Sequence, residues 1–407
     1  MINKKKLNWR FKGNELNYVS EVLKQGFKAG SDGAFSSLLE DKFNKTHNVK
    51  YSIAVNSGTS GLFTALLALG CKNGDEVLVP ALTPLMCGLS IHYTGASPVY
   101  VDSDSETFLM CTKDLEKKIT KKTKCIMVVH MYGAVCDMKK IIQLSKKYNL
   151  PIIEDCAQCF YGKDEKGRIS GTIGDIGVWS FENSKQITCG DGGLVSTNNK
   201  KLAKKIRQIA GLGFKTITAK TGRIRINKDK FQNPNWTRFS EIGYNFRINQ
   251  LAAAVCLAQL ENFNFYIKKR INSGESYSKI LKNNKFFKVQ SILKNKQHTY
   301  YTFSALYLGA NYGVSWESFR KKYIYFGGDG IYAASKLLHQ EPAFKKYDIG
   351  YCYKNCKDKC QLICSKTPVA THLQKNLMNF TTNQKNKNEI SKQADALIKT
   401  LDFFKKY

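Results

Sequence analysis

A chain of 407 residues with 43% hydrophobic and 12% aromatic side chains suits two domains and can bury a substantial core. It has no apolar run of 18 residues, and the basic stretch Met1 to Lys12 lacks the apolar segment of a secretory leader, so neither a membrane span nor export is expected. The formal net charge of +32 raises the question of nucleic acid, but only nine of the 64 basic residues are arginine, the residue that forks onto bases; lysines spread over solvated faces are the better reading.

From residue 50 to about 200, short β-branched runs alternate with helical patterns. SIAV (52–55) is followed by helical GTSGLFTALLALG. EVLVP (76–80) precedes a helical stretch, then PVYVD (98–102), CIMVVH (125–130), helical MKKIIQLSKKYN and PIIED (151–155). This alternation predicts a parallel sheet covered on both faces, with ligands at the carboxyl ends of its strands. Ser57, Gly58, Thr59, His130, Asp155, Ser180 and Lys185 all fall at such ends. Residues 212–240 lack a clean period and read as a long loop. An apolar helix at 249–263 leads into a basic helix near 264–283. A smaller α+β domain follows, with a strand near 299–307 and a last helix near 388–405. The domains expected are 1–265, with an N-terminal arm, and 266–407.

The thirteen cysteines read as free thiols of a reducing, cytoplasmic compartment. Cys352, Cys356, Cys360 and Cys364 recur at every fourth residue, and on a helix that spacing drifts around the axis, so the thiols do not converge on one ion. No metal is expected.

Three features then line up in chain order. Gly58 and Thr59 open a helix, where free amides and small hydroxyls make an anion site, although Ser-Gly-Thr is also an ordinary cap. Asp155 closes a hydrophobic strand, and a carboxylate buried there costs several kcal/mol unless it meets a cation. It either caps the next turn or faces a protonated ring nitrogen. Lys185 lies between a strand end (GVWSF) and a glycine-rich turn. Anion turn, acid and lysine are what pyridoxal 5′-phosphate (PLP) needs: a phosphate cradle, a partner for its ring nitrogen and a Schiff-base amine.

The stretches that carry this pattern are AVNSGTSGLFTALLALG with GDEVLVP (54–80), VHMYG (129–133), IIEDCAQCFYG (152–162), GTIGDIGVWSFENSKQITCGDGGLVST (171–197) and GYNFRINQLAAAVCLAQLENF (243–263). Together they resemble the DegT/DnrJ/EryC1/StrS family of sugar aminotransferases. The resemblance implies the α/β fold type I of PLP-dependent transferases, a mostly parallel central sheet flanked by helices, with a smaller C-terminal α+β domain. It implies that Lys185 carries the Schiff base, Asp155 pairs with the ring nitrogen, and Gln158 sits against the ring. Gly58, Thr59 and Ser180 would hold the phosphate. Asn245 would reach the cofactor phosphate of the partner in a homodimer with shared sites, and Arg247 and Glu182 would touch substrate.

The implied reaction moves an amino group from L-glutamate, or glutamine, through pyridoxamine 5′-phosphate to a keto sugar. A nucleotide-linked 4-keto-6-deoxy or 3-keto sugar for surface glycans leads; a free keto-sugar acid, a cyclitol ketone or an inactive cofactor-binding scaffold are the alternatives. Neither nucleic acid nor membrane is an expected partner. Three positions depart from the family pattern. Pro84 stands where an aromatic residue usually stacks on the cofactor, Glu182 where His, Tyr or Gln is common, and Asp191 where Glu is usual. Lys185 is present, whereas the related dehydratases carry His, which favours transamination.

Overall fold

The computed structural model describes residues 7–27, 34–222, 228–346 and 366–405. Its central sheet has seven strands: β1 (Tyr51–Val55), β2 (Glu76–Pro80), β3 (Ser97–Val101), β4 (Thr123–Val129), β5 (Ile152–Asp155), β6 (Ile176–Ser180) and β7 (Gly193–Thr197). Their order across the sheet is β1-β7-β6-β5-β4-β2-β3. Cys125 to Val129 are at most 2% exposed, which is why the middle strands read as unbroken apolar runs.

The expected parallel sheet holds for β2 to β6, but β7 runs against both of its neighbours. This reversal has a functional consequence. Because β6 and β7 are antiparallel, the link 181–192 returns at the same sheet end instead of crossing over. It is pinned at its base, where Ser180 pairs with Gly193 and the Phe181 amide donates to Gly192 O. Lys185 is thereby held over the carboxyl ends of β5 and β6.

Helices α1 (Glu15–Gln25), α2 (Ala34–His47), α3 (Gly58–Ala68), α4 (Leu85–Tyr93), α5 (Thr112–Lys117), α6 (Met138–Tyr148), α7 (Lys200–Ala210), α8 (Lys228–Gln232), α9 (Gln250–Glu261) and α10 (Phe263–Leu281) follow in chain order. The α9 helix is apolar almost all round because α1 and α2 both pack on it, and Asn249 caps its start through the Ala252 amide. The predicted loop 212–240 is tied near its ends, where the Lys215 amide donates to Arg238 O, and carries α8 within it.

A second sheet is wholly antiparallel: β8 (Phe287–Val289), β9 (Thr302–Tyr307), β10 (Ile331–Ala333) and β11 (Leu377–Thr381), in the order β10-β11-β9-β8. The strand expected near 299–307 is β9, and the expected last helix spans Lys387–Phe403. Phe303, Phe319, Tyr323 and Phe380 fill this part's own core, while Leu337, Phe344 and Leu373 pack into the core of the large sheet.

Nine free cysteines are described, seven of them buried. Cys352, Cys356, Cys360 and Cys364 lie outside the described residues. No helix among the described residues is long and apolar enough to cross a membrane.

One buried ion pair ties α2 to α7. The Arg207 guanidinium meets both Glu40 oxygens at 3.0 and 2.8 Å, and its Nη2 also reaches Ser52 O. Glu40 in turn accepts from the Ala54 amide. Arg207→Ala leaves the Glu40 charge buried and unpaired, so a loss of about 3–5 kcal/mol is expected in chemical denaturation. A variant as stable as the parent would show that water reaches the pair.

Candidate active site

Asp155 and Glu154 end the same strand, and alternation sends their side chains to opposite faces. Glu154 is consumed structurally. Its oxygens accept from the amides of Gly171, Ile173 and Gly174 and contact His130 Nε2 at 2.9 Å. The Cys136 amide donates to His130 Nδ1, so the ring proton sits on Nε2 and points at Glu154. His130 therefore orders the strand end instead of offering itself to a ligand.

Asp155 is 4% exposed and sits on the other face. Its Oδ1 accepts from the Ala157 amide at 2.9 Å, and its Oδ2 from Cys87 Sγ at 3.1 Å. Burial pushes its carboxyl above the ordinary aspartate range, against the pull of these donors and of the Lys185 charge. Cys87 is 0% exposed and also touches Thr83 Oγ1 at 3.3 Å. Cys87→Ala should leave Oδ2 short of a donor and weaken cofactor retention by about 1–2 kcal/mol, read as a several-fold rise in the cofactor dissociation constant, with Cys87→Ser restoring it.

Lys185 is half-buried. Its amine lies over the Tyr301 ring, 4.9 Å from the centroid. Its carbonyl accepts from Arg10 Nη2 at 2.5 Å and from Arg270 Nη2 at 3.4 Å. The neighbouring Gln186 is 2% exposed and donates to Gln158 O, while Gln158 Oε1 accepts from the Tyr132 amide at 2.9 Å. Lys185, Asp155 and Gln158 are thus brought together.

Gly58 opens α3, with Ser57 as cap accepting from the Ser60 amide. A Cβ on Gly58 would lie 2.8 Å from Ser180 Cβ, so only glycine allows the helix start to approach the end of β6 this closely. Half-buried Thr59 follows on the same turn. Free amides and the Ser180 hydroxyl make a cradle suited to a phosphate.

Glu182 accepts from both the amide and the hydroxyl of Ser184, and that hydroxyl touches Tyr301 OH at 2.8 Å. Asn245 is exposed and accepts from Arg247 Nε at 3.0 Å. Their segment runs beside the end of β1, where the Asn56 amide donates to Phe246 O. Neither residue lines the cavity next to Lys185.

That cavity, of about 520 Å³, lies between the strand ends of the two sheets. Pro84 lines it in the place where a stacking ring was expected, flanked by Leu82 and Thr83, while Tyr132, Tyr301 and Tyr332 contribute the aromatic walls. Four participants escaped the sequence reading: Arg10, Cys87, Arg270 and Tyr301. No local motif marks them, since Arg10 meets Lys185 across 175 positions of chain.

An amine, a buried carboxylate short of a cation and a glycine-opened helix start, at the carboxyl ends of a mostly parallel sheet, fit PLP. The fold with this donor set is that of a PLP-dependent transferase. The model of the DegT/DnrJ/EryC1/StrS aminotransferase family matches residues 10–375, and the chain belongs to that family. It is 40% identical over 294 residues to GDP-perosamine synthase of Escherichia coli O157:H7, covering 72% of this chain and 75% of that one. It is 39% identical over 264 residues to GDP-perosamine synthase of Caulobacter vibrioides, covering 64% and 65%. The aminotransferase from Psychrobacter cryohalolentis superposes with a TM-score of 0.84 at 26% identity over 96% of this chain and 97% of that one. The chain is therefore a PLP-dependent aminotransferase.

Proposed function

We propose that this enzyme carries an amino group from L-glutamate to a nucleotide-linked keto sugar, with a GDP-linked 4-keto-6-deoxy sugar as the first acceptor to test. The similarity to the two GDP-perosamine synthases is the observation that carries this reading. The cavity beside Lys185 is of the size that small-molecule ligands fill.

Bound PLP supplies an electron sink that stores the amino group between the two half-reactions. The residues of the chain do the rest. Gly58, Thr59 and Ser180 anchor the phosphate. Asp155 keeps the ring nitrogen protonated, and Gln158 positions the ring. Lys185 would hold the cofactor through its side-chain amine, and the same amine would take the proton from the donor Cα and give a proton to the acceptor carbon. Glu182 shapes the substrate side of the Lys185 loop.

A homodimer completes the site in this reading, with Asn245 and Arg247 facing the partner's cofactor and substrate. Exposed Phe239 and Ile242 on the same segment offer it an apolar contact. The chain would divide at residue 265, near the start of α10, and work in the cytoplasm. Purified enzyme given PLP, L-glutamate and a panel of nucleotide-linked keto sugars should release 2-oxoglutarate and one amino sugar, identified by mass spectrometry. Turnover of none of them, with turnover of a free keto-sugar acid or a cyclitol ketone, would move the assignment to that class.

A further inference from the structure

A lysine amine that joins and leaves a cofactor needs a place to stand in its free form, and the cavity wall supplies one. Lys185 Nζ lies 4.9 Å from the centroid of the Tyr301 ring, which comes from the residue just ahead of β9. The negative face of an aromatic ring attracts an ammonium at this range. Among the described residues the amine forms no ion pair that would compete with the ring. Arg270 also approaches, with Cζ 5.8 Å from the centroid, but its guanidinium is occupied by the carbonyls of Tyr301, Ser184 and Lys185 and by Thr382 Oγ1.

The tyrosine is fixed at both ends. Its backbone carbonyl accepts from Arg270 Nη1 at 2.8 Å, and its hydroxyl meets Ser184 Oγ at 2.8 Å. Glu182 Oε2 takes both the amide of Ser184, at 2.9 Å, and its hydroxyl, at 2.5 Å. A serine has one hydroxyl proton, and the carboxylate claims it, so the phenol donates to Ser184. The chain therefore runs one way, from Tyr301 through Ser184 to Glu182, and ends on a charge. Hydrogen bonds in series polarise one another, so the carboxylate draws on the phenol proton and enriches the ring that faces the ammonium. Tyr301 and Ser184 line the cavity, whereas Glu182 stands behind them.

We propose that the Tyr301 ring is the resting place of the unlinked Lys185 amine, and that Glu182, through Ser184, is the positioning residue that holds the ring there. This rests on the aminotransferase reading above and gives Glu182 a role that needs no contact with substrate. When the Lys185 amine takes a proton, the charge it gains lies against a π face instead of a carboxylate. A carboxylate would grip the ammonium and hinder return of the proton. A ring keeps the amine beside the cavity while its hydrogens stay free.

The test acetylates the cofactor-free protein with an N-hydroxysuccinimide ester and follows each lysine by peptide mass mapping. An amine held on the ring as ammonium acetylates slowly, so Tyr301→Leu should speed labelling of Lys185 about tenfold. Tyr301→Phe and Glu182→Ala should each speed it about threefold, and the double variant no more than either, because both break one chain. Glu182→Gln, which keeps an acceptor for Ser184, should label like the parent. Lys118 and Lys296, with side chains 5% and 4% exposed, are the folding controls and should keep the parent rate throughout. Single-turnover consumption of L-glutamate by the PLP-loaded variants should slow in the same order. The proposal fails if Tyr301→Leu leaves Lys185 labelling unchanged, or if the Tyr301→Phe and Glu182→Ala effects multiply in the double variant. Where Tyr301→Leu also speeds the controls, Tyr301→Phe and Glu182→Ala decide. One equivalent of PLP should block acetylation of Lys185 in the parent; labelling undiminished by PLP would instead remove the aminotransferase reading of the site, whatever the variants do.

Discussion

Lys185→Ala should abolish amino transfer, with a fall in turnover of at least about 10⁴-fold, the upper range for loss of a positioned acid–base group. Two losses combine. On the proposed function the protein would lose its covalent hold on the cofactor and the amine that would carry the proton between donor and acceptor carbons. The position cannot be filled from nearby, because the other cations beside it, Arg10 and Arg270, are tied to backbone carbonyls and stay protonated near neutrality. The phosphate cradle proposed at Gly58 and Ser180 is untouched, so PLP should still bind, but without the absorbance of a lysine linkage. Single-turnover assays with L-glutamate and a spectrum of the PLP-loaded variant check both halves. Retained turnover would place the reacting amine elsewhere.

Asp155→Asn should lower turnover by about 10²–10³-fold, the scale on which a preorganised electrostatic group acts on developing charge. The same variant has a stability signature of opposite sign in the cofactor-free protein. Burial raises the Asp155 carboxyl, so the folded protein holds that proton more tightly than the unfolded chain does. The stability contributed by the protonated form is complete below the ordinary carboxylate range and is lost as pH rises through the raised folded value. Asp155→Asn removes that loss. Without PLP, its melting temperature should therefore decline less than the parent's between acid and neutral pH. With PLP the order reverses, because a charged ring nitrogen compensates only the carboxylate, so the parent should gain more degrees on binding. Equal gains in both proteins would mean that Asp155 does not meet the ring.

Much of the large sheet was legible in the chain. β1 to β5 are β-branched, apolar and bounded by turns, because strands buried on both faces must be. Lys185, Asp155, Gly58 and Ser180 were legible for a related reason. A sheet with its helices on both faces leaves its carboxyl ends as the place for polar groups, and strand ends can be counted from hydrophobic period alone. The reversal of β7 was not legible, since a five-residue apolar strand reads the same in either direction. Yet that reversal holds the Lys185 loop at the ligand end of the sheet. The distinct roles of Glu154 and Asp155 also waited for the structure, which gives one to the amides of 171–174 and sets the other on the opposite face against the Ala157 amide and Cys87.

By itself, then, the chain determined the alternating architecture and the strand-end positions of Lys185, Asp155 and Gly58, because each depends on residues close together in sequence. Only the tertiary structure decided what surrounds them. Arg10, Cys87, Arg270 and Tyr301 come from four separated segments and meet at Lys185 and Asp155 through packing alone. Local pattern encodes the direction in which a side chain points; it does not encode which distant side chain will be waiting there.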